Sequence, residues 1–311
     1  MNVLRVALLL AVSPGVLGAA AKEQFLPPPK SHAAGRDAFL YSISGIAVDS
    51  RNNVFASDLL DYSVKKFDRG GAFIGKVGCR GSGQGEFRSP GLSAVVGEKL
   101  IVLERGKSRI QVFDTRLRYT GEFAVRGGTP VDVTPDGTRG IAVALYSDTS
   151  RAMVIRYEDA QGGNPRRIPL RPTGRAHPLY GAGRIAVLRD GTLVVAYLFM
   201  NRVELYARSG KYLGDFSIAG MPGPDAGIDD GRLPEETYFR KVLVDAAGNI
   251  LLLGGSRSPH PGRDIFLCTR KGSLLRMLVL PSKSRLIALG EPGALYATDE
   301  AGTVVEKYSL R

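Results

Sequence analysis

Histidine and cysteine side chains supply most zinc ligands and many catalytic bases, and both are scarce in this sequence. The chain of 311 residues contains three histidines, His32, His177 and His260, and two cysteines. A zinc site uses three or four protein ligands, and His177 and His260 each lie beside a proline. The sequence therefore predicts exposed loop histidines rather than a zinc centre, and two free thiols rather than a disulfide scaffold.

Carboxylates and glycines are each concentrated in one segment, but neither segment has the spacing of a ligand site. Asp225–Glu236 holds five carboxylates in twelve residues without the D-x-[DN]-x-[DN]-G pattern of a calcium loop. Gly78–Phe87 has alternating glycines, but a strand pattern follows it, whereas a phosphate-binding glycine loop precedes a helix. We expect a solvated acidic loop and a connection between strands.

The most pronounced feature of the composition is an excess of positive charge. The 42 Lys and Arg against 30 Asp and Glu give a formal net charge of +12 at pH 7. Residues 160–189 contain six arginines and no acidic residue, and arginine binds carboxylate, phosphate or sulfate with two parallel hydrogen bonds. This balance favours an anionic partner, namely an acidic protein face, a glycan, lipid head groups or nucleic acid, although charge also serves solubility alone.

The first 21 residues have the layout of a secretory signal peptide. Arg5 provides the positive region, residues 6–17 are mainly apolar, and Ala19–Ala21 provides small residues for cleavage. An uncleaved anchor is the alternative, but a spanning helix needs about 20 apolar residues, and this run is shorter and interrupted by Pro14 and Gly15. We predict cleavage after Ala21, export to the periplasm or outside the cell, and no integral membrane association. Nucleic acid is then an unlikely partner.

Six segments with period-two alternation organise the remainder of the chain. They begin at residues 63, 109, 153, 202, 264 and 304. Each has Val or Ile at its second position, and five of the six have Phe or Tyr at the fifth, where the exception is Cys268. Alternating β-branched and aromatic residues are typical of half-buried strands.

Further strand patterns surround each segment. In the first repeat, the runs GIAVD and VFASD precede the segment and AFIGKV follows it, with turn residues between them. Four antiparallel strands repeated in this way predict a β-propeller blade. The sequence thus predicts an all-β fold, a six-bladed β-propeller of four-stranded antiparallel blades spanning residues 44–311.

The sixth repeat ends with the chain before a fourth strand can form. Since a propeller removes free sheet edges by closing its ring, we predict that the N-terminal segment closes it. Residues 22–43 form this N-terminal extension, and the closing strand is expected between about Lys22 and Tyr41.

The first repeat resembles an NHL repeat. The resemblance rests on its I-A-V-D, V-F-A-S-D and V-x-K-F-D strands, the glycine turn and the G-x-G-x-G-x-F-x-x-P connection into the next repeat. The second, fourth, fifth and sixth repeats keep the strand pattern without this connection, and the third repeat is the most divergent. The resemblance covers roughly Ser44 to the C-terminus, and it implies a six-bladed propeller that usually serves as a binding platform.

The same resemblance raises two enzymatic alternatives. Propellers similar to the peptidyl-amidoglycolate lyases hold zinc with three histidines from separate blades, and this chain has only two histidines within the repeats. Propellers similar to gluconolactonases hold a divalent cation through carboxylates and asparagines, and the carboxylates at that position here are Asp58, Glu104 and Asp299. Because such cations take six or more oxygen ligands, these are weak metal candidates. We expect no cofactor, with a divalent cation as the alternative.

The connections after the second and fourth strands of each blade share one face of a propeller, which we call the long-loop face; the opposite face is the short-turn face. Loops on a rigid scaffold carry function disproportionately. The basic residues predicted to bind a ligand on the long-loop face are Arg105, Lys107, Arg109, Arg151, Arg171, Arg175, Arg202, Arg257 and Arg263.

Two hypotheses follow from these observations. We favour an exported, non-catalytic binding or scaffold protein over an enzyme, with an acidic protein, peptide or glycan as its partner. The alternative is a metal-dependent hydrolase or lyase, gluconolactonase-like or amidating-lyase-like, working at the channel mouth.

Overall fold

The computed structural model describes residues 17–19, 21–23, 36–147, 152–160, 162–163, 165–172, 178–223, 235–290 and 293–310. Strands dominate these residues, and short 3-10 helices span Arg36–Ala38, Arg105–Lys107 and Pro178–Gly181. The N-terminal segment contributes β1 (Leu17–Ala19) and β2 (Ala21–Glu23).

The first three blades each contain four strands. In chain order these strands are β3 (Ile43–Val48), β4 (Val54–Asp58), β5 (Ser63–Phe67), β6 (Phe73–Val77), β7 (Pro90–Val96), β8 (Lys99–Glu104), β9 (Arg109–Asp114), β10 (Tyr119–Ala124), β11 (Thr129–Asp136), β12 (Gly140–Ser147), β13 (Ala152–Asp159) and β14 (Arg166–Pro169). Neighbouring strands within each blade pair antiparallel.

The last three blades continue the pattern. Their strands are β15 (Gly183–Val187), β16 (Leu193–Tyr197), β17 (Val203–Tyr206), β18 (Tyr212–Phe216), β19 (Phe239–Val244), β20 (Ile250–Gly254), β21 (Asp264–Cys268), β22 (Leu274–Val279), β23 (Ile287–Leu289), β24 (Ala294–Thr298) and β25 (Val305–Ser309). The innermost strands β3, β7, β11, β15, β19 and β23 contact one another in a closed cycle around a central channel. The predicted all-β, six-bladed propeller is confirmed.

The N-terminal segment completes the sixth blade. Strand β2 pairs antiparallel with β25, with Ala21 opposite Ser309 and Glu23 opposite Lys307. Strand β1 adds in parallel to β22, the outer strand of the fifth blade. The ring is therefore closed by the predicted segment, and the closing strand lies at the N-terminal limit of the predicted range. Cleavage after Ala21, which stays a prediction, would separate β1 from the chain.

Apolar packing between blades explains why the second strands are apolar on both faces. Six hydrophobic clusters fill the six junctions between neighbouring blades. The cluster that joins the sixth blade to the first contains Tyr296 and Val305 on one side and Ile43 and Val54 on the other. Because each blade is sandwiched between two others, its central strands need apolar side chains on both surfaces.

Cys268 lies at an aromatic position of the repeat, inside the cluster between the fourth and fifth blades. Both cysteines are free, and Cys79 is exposed. Burial raises the pKa of the Cys268 thiol to about 12, so this side chain acts as a small apolar group in the packing.

Candidate functional site

The structure places several predicted ligand-binding residues in ion pairs with the protein's own carboxylates. Arg109 is buried, and its Nε and Nη1 atoms lie 2.6 Å from Glu104 Oε2 and 2.7 Å from Glu122 Oε2. Glu104 stands directly opposite Arg109 across the β8–β9 pair. Lys107 Nζ donates to the backbone oxygen of Ser82 at 3.2 Å. The charge of Arg109 is thus compensated within the second blade.

A second group of predicted arginines surrounds a carboxylate of the fourth blade. Arg202 Nη2 lies 2.9 Å from Glu204 Oε1, and Arg171 Nη2 lies 3.7 Å from the same oxygen. The hydroxyls of Tyr197 and Tyr206 donate to Glu204 Oε2 at 2.7 and 2.5 Å. Burial, together with the negative charge of Glu204, raises the pKa of both tyrosines. The two predicted arginines therefore converge, but on an internal carboxylate.

The other predicted residues lie in different environments. Arg257 forms an ion pair with Glu236, at the end of the acidic segment. Arg151 and Arg175 lie outside the described residues, as does the side chain of Arg105, whose backbone begins a 3-10 helix.

Arg263 belongs to a group of arginines that form no ion pair with a carboxylate of the described residues. Its Nε donates to the backbone oxygen of Leu280 at 2.6 Å. Arg240 Nη1 donates to the backbone oxygen of Ser284 at 3.1 Å, and Arg184 Nε donates to the backbone oxygen of Arg240 at 3.1 Å. Within the described part of the chain, none of these three arginines has a carboxylate at ion-pair distance. We call Arg184, Arg240 and Arg263 the channel-mouth cluster.

Loop contacts bring the channel-mouth cluster together on the long-loop face. The backbone N–H of Ser284 donates to the oxygen of Gly262 at 2.8 Å, which joins the β20–β21 loop to the β22–β23 loop. Arg240 packs beside Gly262, and Arg263 follows it. Arg184 and Arg240 lie on the adjacent inner strands β15 and β19, and Arg263 directly precedes β21, so the cluster spans the fourth and fifth blades on the long-loop face.

The carboxylate of Asp132 lies beside the inner strands that carry Arg184 and Arg240. Lys241 Nζ lies 2.9 Å from Asp132 Oδ1, and Asp132 Oδ2 accepts the backbone N–H of Ile185 at 3.0 Å. This ion pair links the third blade to the fifth across β15. It neutralises Lys241 and leaves the charge of the channel-mouth cluster unchanged.

Sequence reasoning missed Arg184 and Arg240 as site residues. Arg184 is one of the six arginines in residues 160–189, and Arg240 begins the inner-strand pattern of the fifth repeat. The available signal was a basic residue near the start of an inner strand in two consecutive repeats, since those positions line the channel on the long-loop face.

The weak metal candidates lie in three different blades and are already hydrogen-bonded. Asp58 is fully buried and pairs with Lys65 at 2.9 Å, Glu104 pairs with Arg109, and Asp299 accepts backbone N–H groups of its own turn. The structure does not bring them together. Among the described residues there is no group of three or more His, Cys, Asp or Glu side chains that could hold a metal ion.

The glycine-rich connection folds around its own carboxylate. Glu86 Oε2 accepts the backbone N–H groups of Ser82 and Gly83 at 2.9 and 2.8 Å. These two hydrogen bonds hold the pKa of Glu86 below its usual range. The N–H groups that a phosphate would need are thus occupied, which fits the predicted connection between strands.

One histidine has a partner that the sequence analysis did not anticipate. His260 Nδ1 lies 2.8 Å from Asp264 Oδ1, and the backbone N–H of His260 donates to Asp264 Oδ2 at 2.7 Å. The aspartate is fully buried, while the imidazole is 40% exposed. The spacing H-x-x-x-D at the start of a third strand was the signal. His32 and His177 lie outside the described residues.

Comparisons with known proteins support the architecture. No family model matches the chain, and no curated protein matches it. Solved structures do match: a virginiamycin B lyase from Staphylococcus aureus (TM-score 0.56, 13% identity, 94% of this chain and 88% of that one), and regucalcin, a calcium-binding protein from Agrobacterium tumefaciens (0.59, 13%, 94% and 94%). The WD40 repeats of RRP9 also match (0.58, 13%, 94% and 100%).

These neighbours are β-propellers with different activities, and at such identities the likeness shows the fold alone. In the described residues, no helix has the length and hydropathy of a membrane span. The number of blades and the closure of the ring are shown by the strand pairing in the structure itself.

Proposed function

We propose that this protein is an exported, non-catalytic binding propeller of the NHL-repeat type, which holds an acidic protein segment, peptide or glycan on its long-loop face. The observation that carries the proposal is the channel-mouth cluster, in which Arg184, Arg240 and Arg263 are fixed by backbone oxygens and lack carboxylate partners in the described residues.

The cluster is suited to an anionic ligand for three physical reasons. Each guanidinium has five N–H donors, so donors remain after the bonds to backbone oxygens. Those bonds also fix the side chains in advance, which lowers the entropy cost of binding. A cleft lined by charges of one sign concentrates its field and attracts counter-ions.

The arginines that already form ion pairs are less suited to binding an anionic ligand. Arg109, Arg202 and Arg257 already contact Glu104, Glu204 and Glu236. A ligand that recruited them would have to replace an existing ion pair. These ion pairs favour the junction of the fourth and fifth blades as the proposed contact surface.

The test uses a fluorescent oligoglutamate peptide as the probe, titrated by anisotropy. We expect Arg240→Gln/Arg263→Gln to weaken binding at least tenfold, because each lost charge-assisted hydrogen bond contributes roughly 1.5–3 kcal/mol. The salt dependence of binding should also become shallower. Arg116→Gln removes an exposed arginine from the short-turn face and serves as the matched control, with an affinity within twofold of wild type.

Equal binding by the double variant and the wild type would overturn the proposal, provided that both chains keep the same thermal unfolding midpoint. Binding that weakens equally in Arg116→Gln would show attraction by net charge rather than by the cluster.

A second candidate function rests on His260 and Asp264. The buried carboxylate orients the imidazole through Nδ1 and leaves Nε2 available as a general base, as a metal-independent hydrolase or lyase would require. The matching lyase is a propeller too, but it supports this candidate through fold alone. The metal-dependent form needs converging oxygen ligands, which Asp58, Glu104 and Asp299 do not supply together; metal analysis of the purified protein tests it.

His260→Asn separates the two candidates. If the protein hydrolyses or eliminates a lactone or ester from a substrate panel, this variant should lose 10²–10⁴-fold in rate while still binding oligoglutamate. If the protein only binds, the substitution changes no turnover, and the channel-mouth variants alone have an effect.

A further inference from the structure

The short-turn face contains a cavity that the proposed function does not use. Its volume is about 940 Å³, within the range of roughly 300–1,000 Å³ that is typical of small-molecule sites. The turns after the inner strands of five blades surround its opening, and from there it extends between the fifth and sixth blades. The cavity is therefore on the opposite side of the ring from the channel-mouth cluster.

The cavity walls are mainly aliphatic. Val48, Val95, Val187 and Val244 lie at or near the ends of four inner strands and line its channel side. Leu251, Leu267, Leu278 and Leu310 form the recess between the fifth and sixth blades. The hydrophobic cluster of this junction fills the neighbouring space with Leu253, Leu280 and Ile287 among other residues. An aliphatic recess of this kind binds the apolar part of a ligand.

The charged side chains at the cavity differ in how far hydrogen bonds within the protein already occupy them. Asp49 and Asp245 each accept hydrogen bonds from an asparagine four residues later, through both its backbone N–H and its side chain. Glu98 accepts the hydroxyl of Thr115. Arg276, in contrast, donates to the backbone oxygen of Leu310 at 3.2 Å, and Arg189 is exposed at the rim. Asp49 and Asp245 are thus engaged by their own turns and Glu98 by the turn of the neighbouring hairpin, so we expect the arginines to be the groups that face a ligand.

We propose that this cavity binds an amphipathic organic anion, an aliphatic chain that carries one carboxylate. The chain lies against Leu251, Leu267 and Leu278, and the carboxylate pairs with Arg276, which reaches from β22 across the junction to the C-terminal residues. This site is independent of the long-loop face, so it holds whether or not the proposed function is correct.

The test titrates the full chain by calorimetry with octanoate and with octanol, which shares the octyl chain but lacks the charge. We expect one equivalent of octanoate to bind. Arg276→Gln should weaken octanoate five- to tenfold and leave octanol unchanged. Leu310→Trp should weaken both ligands, because the indole fills part of the recess, and it tests the site without removing a charge.

Absence of octanoate binding would overturn the proposal, as would octanoate binding that both variants leave unchanged. If the wild-type chain bound octanol as tightly as octanoate, the proposed role of the ligand's carboxylate would be wrong. Oligoglutamate binding, measured in parallel, should be unaffected by Arg276→Gln, so failure at one site is distinguishable from failure at the other.

Discussion

Replacing Lys65 by methionine should lower the free energy of unfolding by about 3–5 kcal/mol, the cost of leaving a buried charge without its partner. Lys65 and Asp58 are both fully buried, with 2.9 Å between Nζ and Oδ2. Lys65 also pairs with Asp61 at 3.0 Å and donates to the backbone oxygen of Phe39. Its ammonium thus ties the N-terminal extension to the first blade.

Lys76→Met provides the matched control, to be compared by urea denaturation. Lys76 pairs with Asp37 at 2.7 Å, but the two side chains are 33% and 66% exposed. Exposed pairs contribute roughly 0–1 kcal/mol, so this variant should stay close to wild type. Equal losses in both variants would contradict the assignment of Lys65 as the buried partner of Asp58.

Gly45→Ala should destabilise the ring by about 3 kcal/mol, at the upper end of the usual cost of overpacking. Gly45 lies on β3, where the innermost strands of the first and second blades approach closely. A Cβ atom there would lie 2.9 Å from Leu92 Cα and 3.0 Å from the carbonyl carbon of Gly91. These are backbone atoms of β7, so the two inner strands would have to separate.

Gly121→Ala is the control for this substitution. Gly121 lies within β10, and a Cβ atom there would meet nothing within 4 Å. Alanine should therefore be neutral there or stabilise the protein by roughly 0.4–1 kcal/mol, through the lower entropy of the unfolded chain. A Gly45→Ala chain as stable as the Gly121→Ala chain would be inconsistent with close packing of the inner strands.

The fold could be predicted because its determinants are local and repeated. The period-two segments that begin at residues 63, 109 and 202 coincide with β5, β9 and β17 within a residue. The same burial between neighbouring blades acts on every repeat, so each repeat carries the same pattern. The third blade follows the pattern despite its divergent sequence, and it contains strands of eight residues.

The closing strand was harder to place because β2 has three residues and no apolar alternation. Its position depends on pairing with β25 at the other end of the chain. Such long-range register is set by the partner strand rather than by the local sequence.

The candidate site could be predicted only in part. The sequence indicated the long-loop face and its basic residues, but it did not indicate which arginines form ion pairs and which have no carboxylate partner among the described residues. Glu104 and Arg109 are near in sequence and opposite each other across a hairpin. Their ion pair could therefore have been predicted from the strand register. Arg240 and Ser284 are 44 residues apart, and the folded fifth blade with its connection to the sixth brings them together.

The most direct test of the central claim is to map where an acidic ligand lies on the ring. A photoreactive oligoglutamate peptide should cross-link to residues 255–263 and 280–286, the two loops beside Arg240 and Arg263. Arg240→Gln/Arg263→Gln should abolish these cross-links. Cross-links spread evenly over both faces, or concentrated on the short-turn face, would contradict the claim that the channel-mouth cluster is the binding site.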